Sequence, residues 1–171
     1  MLYHFSFPAR DPHHVATVLA ELLDATVVDC PSPPFPEGSK FVCCGDERGT
    51  MAEIVPAGTT YVPGPDGSIR ATTGGPVLEA SAVHGMLLAA VPQERIEAVA
   101  AREGWPCGVV DTSLFKVISL WVEGHQLIEF TTPELLPDYL ATYGAAGLGA
   151  LDGKLRAIET ELARMLEGVS R

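Results

Sequence analysis

Residues 81–103 read SAVHGMLLAAVPQERIEAVAARE: an apolar run carrying one histidine, His84, then a proline, Pro92, then Ile96, Val99 and Ala100 at helical spacing up to Glu103 and Gly104. That order predicts a strand over 81–90 and a helix over 92–103 closed by the glycine. The chain opens the same way. Residues 2–8, LYHFSFP, alternate Tyr3, Phe5 and Phe7 with Leu2, His4 and Ser6, the period of a half-buried strand. Asp11-Pro12 then supplies a helix cap and a first helical residue, and Val15, Val18, Leu19, Leu22 and Leu23 carry a helix to 23. Three short strand-like runs follow each helix: 25–30, 40–45 and 50–56 after the first, 108–111, 115–122 and 126–131 after the second. Strand, helix and three strands therefore occur twice, an internal duplication that predicts an α+β fold of two modules.

Between the copies, residues 57–80 (AGTTYVPGPDGSIRATTGGPVLEA) hold no sustained period and are dense in Gly, Pro and Thr, so they are expected to connect the modules, with a short strand near 68–72. Residues 31–38, PSPPFPEG, form a proline-rich loop. Beyond the second module, 135–143 and 151–165 have helical spacing. In the latter, Leu151, Leu155, Ile158, Leu162 and Met165 make one apolar stripe, suited to packing on its own domain or to a dimer contact. The expected organisation is one domain over 1–171: module one 1–56, connection 57–80, module two 81–132 and C-terminal helices 133–171, in a chain that forms a homodimer.

Composition narrows the function. The chain has 171 residues, 47% of them hydrophobic and 19% charged, enough for a sizeable core and too apolar for a disordered chain. Its formal charge is −11, so the average surface repels polyanions, and neither nucleic acid nor an anionic membrane is expected as partner. No apolar run has bilayer length and MLYHFSFPAR lacks the layout of a secretory signal; the reading is a soluble, cytoplasmic protein. Cys30, Cys43, Cys44 and Cys107 form no C-x-x-C pair and read as free, half-buried thiols.

Four polar residues repeat with the modules. His4 and His84 lie in the two first strands, Glu53 and Glu129 in the two last, at offsets of 53 − 4 = 49 and 129 − 84 = 45. Strand alternation sets each against apolar neighbours: His4 opposite Phe5 and Phe7, Glu53 opposite Ala52 and Ile54, Glu129 between Ile128 and Phe130. Singly, each is an ordinary core histidine or edge carboxylate; the repetition groups them as two imidazoles and two carboxylates pointing inward together. Such donors suit a divalent transition metal, namely nickel, cobalt, zinc, manganese or iron. His13, His14 and His125 read as surface residues, and Trp121 as either cavity wall or core. No phosphate loop, G-x-S-x-G or H-E-x-x-H occurs.

The duplicated βαβββ pattern, the openings HFSFPARDP and HGMLLAAVP, and the strand endings MAEIVP and QLIEFTTPE resemble the vicinal oxygen chelate superfamily over residues 2–132. This resemblance implies a curved eight-stranded mixed sheet enclosing a metal, with ligands at His4, Glu53, His84 and Glu129. The complete His-Glu-His-Glu set is most similar to glyoxalase I, which implies a metal-dependent lyase or isomerase acting next to a carbonyl of a small oxo or hydroxyacyl substrate. There the ion polarises substrate oxygens and stabilises an enediolate, and Glu53 or Glu129 moves the proton. Ser6-Phe7-Pro8 and Pro56-Ala57-Gly58 stand where bacterial glyoxalase I carries an Arg and an Asn for glutathione, a departure that speaks against that substrate. The alternatives implied are a metal-free, bleomycin-resistance-like binding protein and an extradiol-type dioxygenase using iron at His4, His84 and Glu129.

Overall fold

The computed structural model describes residues 3–169 apart from residue 33, with the side chains of the last helix described as far as Met165. Residue 2 of the first expected strand lies outside the described residues. The first module runs β1 (His4–Ala9), α1 (Pro12–Leu23), β2 (Thr26–Asp29), β3 (Lys40–Cys43) and β4 (Met51–Pro56). The segment expected as a connection holds a hairpin, β5 (Thr60–Pro63) with β6 (Ile69–Thr72). The second module then repeats the order: β7 (Gly85–Leu88), α2 (Gln93–Glu103), β8 (Cys107–Asp111), β9 (Lys116–Val122) and β10 (Gln126–Thr131). Two helices follow, α3 (Leu136–Tyr143) and, after a 3-10 turn at Leu148–Ala150, α4 (Leu151–Val169).

The two sheets have the same topology, β1-β4-β3-β2 and β7-β10-β9-β8. In each, the first strand lies parallel to the last and the other pairs are antiparallel. The duplication read from the sequence is thus a duplication of topology. The expected single curved sheet of eight strands is hydrogen-bonded as two four-stranded sheets. β1 and β7 meet through a side chain: a Cβ at Gly85 would touch the Phe5 ring at 3.6 Å.

Local chemistry explains the helices. Asp11 Oδ1 accepts the His14 N–H at 3.0 Å, Pro12 fills the first turn, and Asp24 ends α1 in the left-handed region at φ 51°. Gly104, at φ 70°, ends α2 as expected. The apolar faces of both helices, Val15, Leu19 and Leu22 on α1 and Ile96 and Val99 on α2, join Phe7, Val42 and Ile54 of the first sheet and Ile118, Leu120, Ile128 and Phe130 of the second in one core. Each such side chain contributes about 1.5–3 kcal/mol on burial.

The modules are also tied by polar contacts. The Glu123 carboxylate, in the β9–β10 turn, accepts the backbone N–H groups of Arg10 at 2.7 Å and Asp11 at 2.8 Å, at the start of α1. Glu21 of α1 pairs with Arg95 and Arg102 of α2, and His14 Nε2 lies 2.6 Å from Glu103 Oε2. His13 and His14 are exposed as expected; His125, expected at the surface, is buried. Glu123 and Gly124 both take positive φ (50° and 78°), and this turn folds His125 inward, its Nδ1 within 3.2 Å of the Glu123 carbonyl. Trp121 is half-buried, and the four cysteines are free and half-buried. Phe115 at the foot of β9 meets Tyr139 and Tyr143 edge-on at 5.1 and 5.7 Å, which anchors α3.

Candidate functional site: a cavity in the first module

β1 and β4 run parallel with Ser6 opposite Glu53 and His4 opposite Met51. Alternation sends Phe7, Ala52 and Ile54 into the core, while His4, Ser6, Met51 and Glu53 line a cavity of about 780 Å3 on the other face. The antiparallel β3–β4 pairing adds Phe41, opposite Glu53. The far wall comes from the β5–β6 hairpin, through Tyr61, Val62, Pro63, Ile69 and Ala71, and from Pro34 and Phe35 of the proline-rich loop.

Glu53 is 7% exposed and both its oxygens are held. Ser6 donates its hydroxyl to Oε2 at 2.6 Å, and Tyr61 donates its phenol to Oε1 at 2.8 Å. Burial first, then the hydrogen bond to Glu53 and that carboxylate's charge, push the Tyr61 phenol above its ordinary range, so it stays a donor at neutral pH. Cys30 is pushed up to about 11, by burial first and by Glu53 second, and burial likewise raises Cys44 and Cys107. These three thiols are therefore protonated at neutral pH and poor nucleophiles.

His84 and Glu129 lie in the second sheet's half of the molecule. The strand expected from residue 81 begins only at Gly85, because local side-chain bonds compete with the ladder. The Val83 N–H is taken by Ser81 Oγ at 3.0 Å, and His84 Nδ1 lies 3.0 Å from the Ala82 carbonyl. On its other side the ring places Nε2 3.5 Å from Glu129 Oε2.

The structure therefore brings His4 and Glu53 to one cavity and sets His84 beside Glu129. The cavity expected between the modules is lined entirely by residues 4–71. Among the described residues no three His, Cys, Asp or Glu side chains gather closely enough to hold an ion. The donor types are ones that a divalent metal accepts; in one chain they stand as two separate pairs, His4 with Glu53 and His84 with Glu129. Sequence reasoning missed Ser6 and Tyr61. Ser6 shares the alternation of His4. Tyr61 could have been found from the β-forming TYVP and IRAT that flank the turn GPDGS, a hairpin pattern inside the segment taken for a connection.

No protein-family model matches this chain, and no curated protein does. Solved structures do. The fosfomycin resistance protein FosX from Mesorhizobium loti aligns with a TM-score of 0.50 at 16% identity, over 81% of this chain and 97% of its own. FosX from Listeria monocytogenes, in a complex with Mn(II) and sulfate, aligns with a TM-score of 0.50 at 14% identity, over 84% of this chain and 97% of its own. The chain shares the fold of these two proteins, and its duplicated βαβββ order is the one that the sequence motifs implied. Among the described residues no helix is long and apolar enough to cross a membrane.

Proposed function

We propose that this protein is a glyoxalase-like, metal-dependent lyase or isomerase, acting next to a carbonyl of a small oxo or hydroxyacyl substrate bound in the first-module cavity. The observation that carries the reading is Glu53: a buried carboxylate with each oxygen held by one hydroxyl, in a lining that also holds an imidazole. A side chain placed this way is oriented for proton transfer, since each carboxylate oxygen has acceptor capacity beyond its one hydroxyl donor. Ser6 and Tyr61 fix its geometry.

The ion would be held by His4, Glu53, His84 and Glu129, and when bound it supplies Lewis-acid polarisation of a carbonyl oxygen. Nickel, cobalt, zinc, manganese and iron all accept such donors. We place the two half-sites on different copies of a homodimer. Each chain carries one half of each kind, and a twofold pair sets the His4–Glu53 half of one copy against the His84–Glu129 half of its partner, twice. The exposure of both imidazoles supports this. The chain as a whole, 1–171, acts as one domain, and its free thiols accord with a cytoplasmic setting.

The test is elemental analysis and native mass of the full chain purified without chelators, alongside His4→Ala, Glu53→Gln, His84→Ala and Glu129→Gln. One divalent ion per chain in a dimer, lost in each variant, supports the reading. A metal-free parent whose melting temperature ignores added Mn(II), Ni(II), Co(II), Zn(II) and Fe(II) sinks it and favours the binding-protein alternative, which the apolar cavity accommodates.

A further inference from the structure

The cavity walls are chemically one-sided. Its polar groups are His4, Ser6, Glu53, Tyr61 and Ser68; Phe35, Phe41, Met51, Val62 and Ile69 make the apolar surface, and no Lys or Arg is among the described lining residues. Phe35 and Phe41 meet edge-on at 5.1 Å and 88°, a preformed aromatic corner. Ile69, on β6, also lines the cavity and is 79% exposed, an apolar side chain that folding leaves uncovered. The buried ionisable side chain in this cavity is a carboxyl, Glu53, and the whole chain carries a formal −11. The protein itself therefore offers no guanidinium or ammonium group among the described lining residues to pair with an anionic group entering.

We infer that the ligand of this cavity has an apolar body of about ten to twenty heavy atoms bearing no negative charge, seated between the Phe35–Phe41 corner and Val62 and Ile69 of the β5–β6 hairpin. Its oxygen- or nitrogen-bearing end lies toward Ser6 and Glu53. The inference rests on the cavity being the substrate site, and it makes the hairpin the element that sets specificity. It separates the substrate from small, highly charged anions, for which an arginine or lysine clamp is the ordinary recognition device.

The experiment compares three matched probes, 1-naphthylmethanol, 1-naphthylmethylamine and 1-naphthoate, by calorimetric titration against the full-length protein freed of metal. The alcohol and the amine are expected to bind saturably and the carboxylate at least about tenfold more weakly. Glu53→Gln is expected to narrow that gap. Ile69→Asp, whose side chain is exposed and adds nothing to the main core, is expected to weaken the alcohol about tenfold with the melting temperature little changed. Naphthoate binding as tightly as the alcohol, absence of saturable binding by the alcohol, or an Ile69→Asp variant with unchanged affinity would each overturn the inference. Because these readouts need no ion, they are separable from the metal test. Absence of metal with the probe order as expected removes the metal enzyme and keeps this ligand class, whereas bound metal with naphthoate preferred does the reverse.

Discussion

At Glu53, burial and two hydroxyl donors meet on one carboxylate, and each can be removed singly. Tyr61→Phe deletes the phenol that holds Oε1 and keeps the ring. The expected cost is about 1 kcal/mol of stability, because a hydrogen bond to a charged group is worth more than a neutral one but this one is only part-buried. Since Tyr61 acts by holding Glu53, the proposed reaction should lose about tenfold in kcat with KM little changed, measured by steady-state kinetics once a substrate has been identified. Cys30 gives a pH signature. Its thiol is held at about 11 in the folded chain against an ordinary value of 9.0, so folding favours the protonated form. That contribution is complete below pH 9 and is lost as pH rises towards 11. The melting temperature should fall across this window, and fall less steeply in Cys30→Ala.

The elements that place the site are short and locally specified. α1 begins where Asp11 accepts the His14 N–H, and its apolar face then buries Val15, Leu19 and Leu22. Asp11→Ala should cost about 1 kcal/mol, read from chemical denaturation with an unchanged slope, because the lost cap leaves a helix donor without its partner. The Glu21, Arg95 and Arg102 cluster between α1 and α2 lies at the surface and should contribute under about 1 kcal/mol, less in high salt. The hairpin β5–β6 has a different status. Its strands have four residues each and contribute no side chain to the main core, so it is held chiefly by its own ladder and by Tyr61 on Glu53. An element anchored so lightly is suited to adjust around a ligand.

For the whole molecule, the surface to be accounted for is α4. Leu155, Leu162 and Met165 are exposed along a helix whose stripe repeats every three and four residues. A parallel pairing of two copies covers that stripe and sets Lys154 of each against the partner's Glu159, whereas an antiparallel pairing opposes Asp152 to the partner's Glu159. The charge pattern accords with the homodimer proposed above, with α4 paired in parallel. Leu155→Glu with Leu162→Glu should shift the light-scattering mass toward one chain and leave the helical content of the modules intact. A parent that is already one chain at high concentration would remove both this proposed contact and the metal site proposed to be shared between copies.

Local spacing determined the duplicated βαβββ order, the caps of α1 and α2, and the alternation that sends His4 and Glu53 to the face opposite Phe7 and Ile54. Periods of two and 3.6 residues depend on near neighbours alone. The long-range relations were decided by the tertiary structure. Ser6 and Glu53 are 47 residues apart in the chain and meet because β1 pairs with β4; Tyr61 reaches the same carboxylate because a segment rich in Gly, Pro and Thr turns back as a hairpin. The near-equal offsets of His4–Glu53 and His84–Glu129 said that the pairs hold equivalent places in two modules. Equivalence is not proximity: the distance between the pairs is set by how the two sheets pack on their shared core, and that packing keeps the pairs apart within one chain.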